Sequence, residues 1–279
     1  MAFKKIETAT ELERIALAIR RDVIRSLAAS GSGHLGGSLG LADVFTVLYF
    51  NRMRHDPERP DWPERDRLVL SVGHVAPVYY AALAHAGYFP VDELLTLRKL
   101  GSRLQGHPGR DHLLPGIELS AGSLGQGLPV AVGMALANKL DGNARKTFCI
   151  NGDGELQEGS IWEAAMSAAH HKLDNLITTV DRNHVQIDGE VQDVMDIEPL
   201  AEKWKSFGWE VFECDGNDIS DLLRTYRLAE GVLGKPSVVI AHTAMGRGVK
   251  EIEGDYRWHG KAPSAEQAEA FLVQLEQKK

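Results

Sequence analysis

The stretch NGDGELQEGSIWEAAMSAAHHKLDNLITTVDRNHVQIDG, Asn151 to Gly189, decides how the chain is read. It is entered from KTFCI (146–150) and contains NLITTV (175–180), two short apolar runs of the kind that form buried strands. Gly152 and Gly154 let the backbone turn tightly and approach a ligand closely. Ser160 and Glu163 fit a capping box, which predicts a helix from about Ile161 to about Lys172. Strand, loop, helix and strand make one unit that returns the chain to the carboxyl edge of a sheet, where open α/β folds bind ligands. Asp153 ends the first strand, and Asn183, thirty positions later, ends the second. The helix N-terminus between them favours an anion. A carboxylate beside that anion makes sense if a hard cation lies between the two. Mg²⁺ binds through one or two protein carboxylates together with phosphate oxygens and water, so the implied site is Mg²⁺ with a diphosphate. Gly-Asp-Gly is also an ordinary turn. The capped helix, the flanking strands and Asn183 are what favour a site.

Outward from this unit, strands and helices alternate, which predicts an α/β fold with a parallel sheet and helices on both faces. Thr10 and Glu13 fit a capping box for a helix through Ile15, Ile19, Val23 and Leu27, broken by SGSGHLGGSLG (30–40). A helix is expected around LADVFTVLYF (41–50), a strand at DRLVLS (66–71) and a helix at APVYYAALAHAG (76–87). The glycine-rich SAGSLGQGLPVAVGMALANKL (120–140) leads into another helix, and SVVIAHT (237–243) reads as a buried strand. Ser264 and Gln267 fit a capping box for the last helix. No repeat, low-complexity segment or linker interrupts the chain. One domain over residues 1–279, with a helical N-terminal extension over about residues 1–60, is the expected organisation.

Composition narrows the function. The 279 residues carry 31 Lys plus Arg and 39 Asp plus Glu, a net charge of −8, with no basic run interleaved with aromatics, so nucleic acid is not an expected partner. The longest apolar stretches are far shorter than a membrane span, and no membrane association is expected. MAFKKIETATELERIALAIRR (1–21) has no apolar h-region and reads as a helix rather than a signal peptide. Cys149 and Cys214 sit in strand-like runs without a CxxC partner, the pattern of reduced core thiols in a cytoplasmic protein.

Of eleven histidines, four stand beside glycine at element breaks: His34, His74, His107 and His259. His55, His85, His112, His170, His171, His184 and His242 lack that context and read as structural or exposed. A sugar has many hydroxyls, and imidazole can donate to them or move their protons.

The run from Gly-Asp-Gly to Asn183 resembles the thiamin diphosphate motif, and its closing DRNHVQIDG is similar to the transketolase version. GSGHLGGSLGLAD, LSVGH, LQGHPG, SAGSLGQG and YRWHGKAPS resemble further transketolase segments in the family's order. The resemblance covers the diphosphate-binding half of a transketolase and implies the thiamin diphosphate-binding (PP-type) fold. It implies that Asp153, Asn183 and the carbonyl of Val185 hold Mg²⁺. It implies that His74, Gly122, Ser123, Leu124, Gly154, Glu155, Asn183, Ile187 and His259 contact thiamin diphosphate. At Ser123 the family usually has proline, a departure that leaves backbone contacts available. His34, His107 and His259 are implied to act on the sugar. Glu158, by itself an acid at a helix start, is implied to join a proton network near the subunit interface.

In the family, the glutamate that activates the cofactor's pyrimidine comes from a second domain, and no further α/β unit follows His259. One subunit of a split transketolase is therefore expected, completed by a separate pyrimidine-domain chain in an α₂β₂ assembly. Its activity would be ketol transfer between sugar phosphates. The alternatives are a subunit of a deoxyxylulose-phosphate synthase or of a dehydrogenase E1, and a non-catalytic homologue. LQGHPG, SLGQG and WHGKAPS speak for the transketolase reading, and the retained Asp153 and Asn183 speak against a non-catalytic one.

Overall fold

A computed structural model describes residues 5–277; residues 1–4 and 278–279, the two ends of the expected domain, lie outside it. The described chain contains a five-stranded sheet in the order β1-β2-β3-β7-β6, with every neighbouring pair parallel. Its strands are β1 (Arg67–Leu70), β2 (Thr147–Gly152), β3 (Leu176–Arg182), β6 (Glu210–Asp215) and β7 (Ser237–His242). A short hairpin, β4 (Val185–Gln186) with β5 (Gly189–Glu190), follows β3. The helices are α1 (Ala9–Ser30), α2 (Leu35–Gly40), α3 (Ala42–Val47), α4 (Ala76–His85), α5 (Gly127–Leu140), α6 (Gly159–His170), α7 (Val191–Met195), α8 (Leu200–Ser206), α9 (Ile219–Glu230) and α10 (Ala265–Gln277).

The expected parallel sheet with helices on both faces is what forms. Side chains alternate across a strand, and they divide here between two cores. Leu68, Leu70, Phe148, Ile150, Ile177, Val239 and Ala241 pack on one face with residues of α1 to α4, α9 and α10. Val69, Cys149, Leu176, Val180, Val238 and Ile240 pack on the other with α5, α6 and α8. Every residue of β2 and β3 is buried, which is why their sequences run apolar without polar alternation. The N-terminal helices share their core with β1 and β2. Cys149 and Cys214 are free and buried. Among the described residues no helix is long and apolar enough to cross a membrane.

Several local expectations change. The first helix starts earlier than the Thr10–Glu13 pair predicts: Thr8 is the N-cap, accepting from the backbone of Glu11. Thr8 and Glu11 repeat the same three-residue spacing two positions upstream. Ser160 does not cap α6. Its hydroxyl donates to the Gly125 carbonyl at 2.9 Å, and the helix begins at Gly159 after a 3₁₀ turn over Gly154–Gln157. LADVFTVLYF breaks into α2's end, α3 and a π turn over Leu48–Arg52 rather than one helix. The Ser264–Gln267 capping box forms as expected, with both reciprocal hydrogen bonds present. Edge strand β6 was foreshadowed only by the strand-like run around Cys214. Helices α7 to α9 and the β4–β5 hairpin had no predicted counterpart.

Candidate functional site

The register of the sheet brings the site together. Gly152 of β2 pairs with Asp181 of β3, and Asp181 with Ala241 of β7, so these strands finish at one edge. A cavity of about 370 Å³ opens there. Of the sequence-predicted site residues, His34, His74, His107, Gly122, Leu124, Asp153, Gly154, Glu155, Glu158, Asn183, Val185, Ile187 and His259 all line it. Ser123 is exposed and does not. The seven histidines read as structural or exposed all lie outside the cavity.

Four imidazoles from four distant segments converge. His34 caps the start of α2, His74 lies in a 3₁₀ turn after β1, and His259 follows another over Tyr256–Trp258. Ring centroids are 4.9 Å apart for His34–His74, 4.7 Å for His74–His259, 5.7 Å for His34–His259 and 6.3 Å for His34–His107. Glycine permits this crowding: a Cβ on Gly73 would stand 2.8 Å from the Gly122 nitrogen, so only glycine lets the His74 turn meet the glycine-rich loop. Burial, with His259, Arg98 and His107 nearby, lowers the His34 pKa to about 4. Burial also lowers His74 (well below its usual value), His107 and His259. All four are thus neutral at pH 7, each with one donor and one acceptor. His34 Nδ1 is buried without a hydrogen-bond partner among the described residues. The His34 ring is expected to titrate near pH 4 in nitrogen-detected NMR of the free chain. A midpoint near the ordinary histidine value of about 6.5 would mean that the ring is not held in this desolvated cluster.

The acidic side of the cavity is built by the loop after β2. Asp153 Oδ1 accepts from the Gly154 amide at 2.8 Å, while Oδ2 accepts from the His184 amide at 2.7 Å and from Arg182 Nη1 at 3.0 Å. Burial raises its carboxyl above the usual range against these donors. Asp181 lies beside it; burial, with Asp153 adding to it, pushes Asp181 up to about 7 against a hydrogen bond from Thr243. Asn183 donates to Asp181 Oδ2 at 2.8 Å and accepts from the Val185 amide at 3.0 Å. No group of three His, Cys, Asp or Glu stands ready for a metal among the described residues. The candidate set is instead one carboxylate, one amide oxygen and one main-chain carbonyl: Asp153, Asn183 and Val185. These are hard oxygen donors of the kind Mg²⁺ takes, with the buried carboxyl of Asp181 beside Asp153. The residues present fit the ion.

Glu155 differs from expectation in its use. Oε1 accepts from Ser71 Oγ at 2.5 Å and from the Gly125 amide at 2.8 Å. Oε2 accepts from the Gly152 amide at 3.0 Å and from Asn151 Nδ2 at 3.2 Å. Its acceptor positions are taken, so Glu155 ties together the ends of β1 and β2 and the glycine-rich loop. Glu158 is exposed, at the rim and at the N-cap of α6.

Sequence reasoning missed Asp181, Gln157 and Gln186, which line the cavity, and Arg182, which pairs with Asp153. For Asp181 a signal existed: it precedes Asn183 by two, and with Asn183 expected at the strand's end that spacing puts both on one face, although β3 itself stops at Arg182.

With the geometry in place, comparison with known proteins is specific. The profile of the family described as "Transketolase, thiamine diphosphate binding domain" matches residues 12–276. The chain is 47% identical to an apulose-4-phosphate transketolase subunit from Actinobacillus succinogenes, over 95% of this chain and 96% of that one. It is 43% identical to the 6-deoxy-6-sulfo-D-fructose transketolase subunit of a Clostridium species (strain MSTE9), over 97% and 98% of the two. It superposes on the solved transketolase from Leishmania mexicana with a TM-score of 0.90 at 31% identity, covering 98% of this chain and 42% of that one. The chain therefore spans about two fifths of the length of that transketolase.

Proposed function

The chain belongs to the transketolase family, and from that premise we propose that it is the diphosphate-binding subunit of a Mg²⁺-dependent enzyme moving a two-carbon ketol unit from a ketose phosphate to an aldose phosphate. The observation that carries the reading is the convergence of four desolvated, neutral histidines on the wall of one cavity. Thiamin diphosphate, when bound, supplies the nucleophilic carbon and the electron sink for this chemistry. Asp153, Asn183 and the Val185 carbonyl would hold Mg²⁺ against the diphosphate, and His74, Gly122, Leu124, Gly154 and Ile187 would contact the cofactor. Glu155 serves it indirectly, by fixing the loops that form the cradle. Neutral His34, His107 and His259 would donate to sugar hydroxyls and accept the proton leaving one of them. Glu158, exposed on the rim, would join a proton network near the interface with the other subunit.

That other subunit would carry the pyrimidine domain, in an α₂β₂ assembly, within the cytoplasm. Supporting it, relatives matched over more than nine tenths of both lengths are themselves named as transketolase subunits. Exposed apolar side chains support it too: Ile187 on the cavity wall is 62% exposed, and Val194 and Met195 of α7, which follows the hairpin, are exposed as well.

Alanine at His34, His107 or His259, assayed with the second subunit present, is expected to lower turnover by roughly a hundredfold or more while KM changes less. Wild-type turnover in all three variants would show the cluster to be structural and sink the proposal.

A further inference from the structure

Arg182 lies outside the expected site, yet it pairs with the first candidate metal ligand. Its side chain is 5% exposed. Nη1 donates to Asp153 Oδ2 at 3.0 Å, and Nη2 to Glu198 Oε1 at 2.8 Å. Glu198 Oε2 in turn accepts from the Leu200 amide at 2.6 Å, at the start of α8. The guanidinium is therefore held in place from both sides. Counting acceptors, Asp153 Oδ2 takes two donors and Oδ1 one, which leaves a single lone pair, on Oδ1, for anything else. Asp153 also has its charge already matched by a fixed cation. A second cation arriving at that oxygen meets the guanidinium's repulsion. At the effective dielectric of a protein site this opposes binding by a factor on the order of tenfold to a hundredfold. A diphosphate in the cavity reverses the balance, because it brings negative charge and oxygen donors to the same place.

We propose that Arg182 makes divalent-cation capture at Asp153 conditional on the diphosphate, so that metal and cofactor enter together and a metal ion alone is held weakly. The proposal rests on the metal site put forward above. It makes Arg182 a positioning and gating residue, acting through Asp153. It also gives a sign that a purely structural role does not: removing Arg182 strengthens binding of the bare ion.

The test is Mn²⁺ binding to the full-length chain by electron paramagnetic resonance, with and without thiamin diphosphate, corrected for Mn²⁺ held by free cofactor. The wild type is expected to bind Mn²⁺ at least tenfold more tightly when the cofactor is present, and by reciprocity the cofactor more tightly by the same factor when Mn²⁺ is present. R182Q is expected to bind Mn²⁺ alone at least tenfold more tightly than the wild type, with a correspondingly smaller cofactor enhancement. R182K, which keeps the charge, should retain the wild-type pattern. Weaker Mn²⁺ binding by R182Q in both states would make Arg182 structural and overturn the proposal. So would the absence of a cofactor enhancement in the wild type, a measurement that does not depend on the variants folding. D153N separates the two levels: undiminished Mn²⁺ binding there overturns the metal site itself. Lost binding there with no tightening in R182Q overturns only the conditional capture.

Discussion

Replacing Asp153 with alanine is expected to abolish Mg²⁺-dependent binding of thiamin diphosphate. The carboxylate is 2% exposed and is the only candidate metal ligand carrying a formal charge, since Asn183 and Val185 offer neutral oxygens. Mg²⁺ sheds water reluctantly, and without a charged oxygen the remaining pair cannot compensate for dehydration. The alanine variant also removes one of the two carboxylates that hold the buried Arg182, leaving it paired with Glu198 alone, so some stability is lost as well. Asp153→Asn is therefore the sharper form of the experiment, because the amide keeps the shape and an acceptor for the His184 amide while losing the charge. Calorimetric titration of cofactor with Mg²⁺ should show affinity reduced at least a hundredfold in both variants, with circular dichroism confirming a folded chain. Undiminished binding in a folded Asp153 variant would refute the assignment.

The second large effect concerns the proposed second subunit. The purified chain on its own is expected to show no measurable ketol transfer, and adding its pyrimidine-domain subunit should restore activity at one-to-one stoichiometry. Ile187 on the cavity wall, and Val194 and Met195 of α7 after the hairpin, present apolar surface that a second subunit would cover. Burying such a rim gains about 25 cal/mol per Å², so association and cofactor binding should reinforce each other. A coupled assay with mass-spectrometric control for contaminating subunits checks this. Full activity from the single chain would show that the proposed division of the site is wrong.

How much of this was legible in the chain depends on how local the signal is. β1, β2, β3 and β7 are short apolar runs, almost wholly buried, and they stand out in the sequence. Edge strand β6 stands out far less, because a half-exposed strand reads EVFECD, mixing Glu and Asp with Val, Phe and Cys. That Asp153 and Asn183 reach one cavity was legible because one strand-loop-helix-strand unit contains both. The histidines were legible only one by one, as residues beside glycine. That His34 and His259 meet is a property of the whole fold. Ser160 shows the opposite limit: it matched a capping motif, and the glycine-rich loop claimed its hydroxyl instead. Arg182 gave no signal, since an arginine at a strand end is ordinarily a solvated one.

The pairing of Gly152 with Asp181 also bears on how such a chain can diverge. Because side chains alternate along a strand, a single-residue insertion in β3 upstream of Asp181 would carry Val180 to the cavity edge and turn the carboxylate into the apolar layer beneath α6. The loops around the cavity tolerate changes of length at the scale of a loop. Within β2 any such change misplaces Gly152 and Asp153, and within β3 it misplaces Asp181 and Asn183. Length variation over generations should therefore accumulate in segments such as the one between β1 and β2, while the spacing from Gly152 to Asn183 stays under the tightest constraint in the chain.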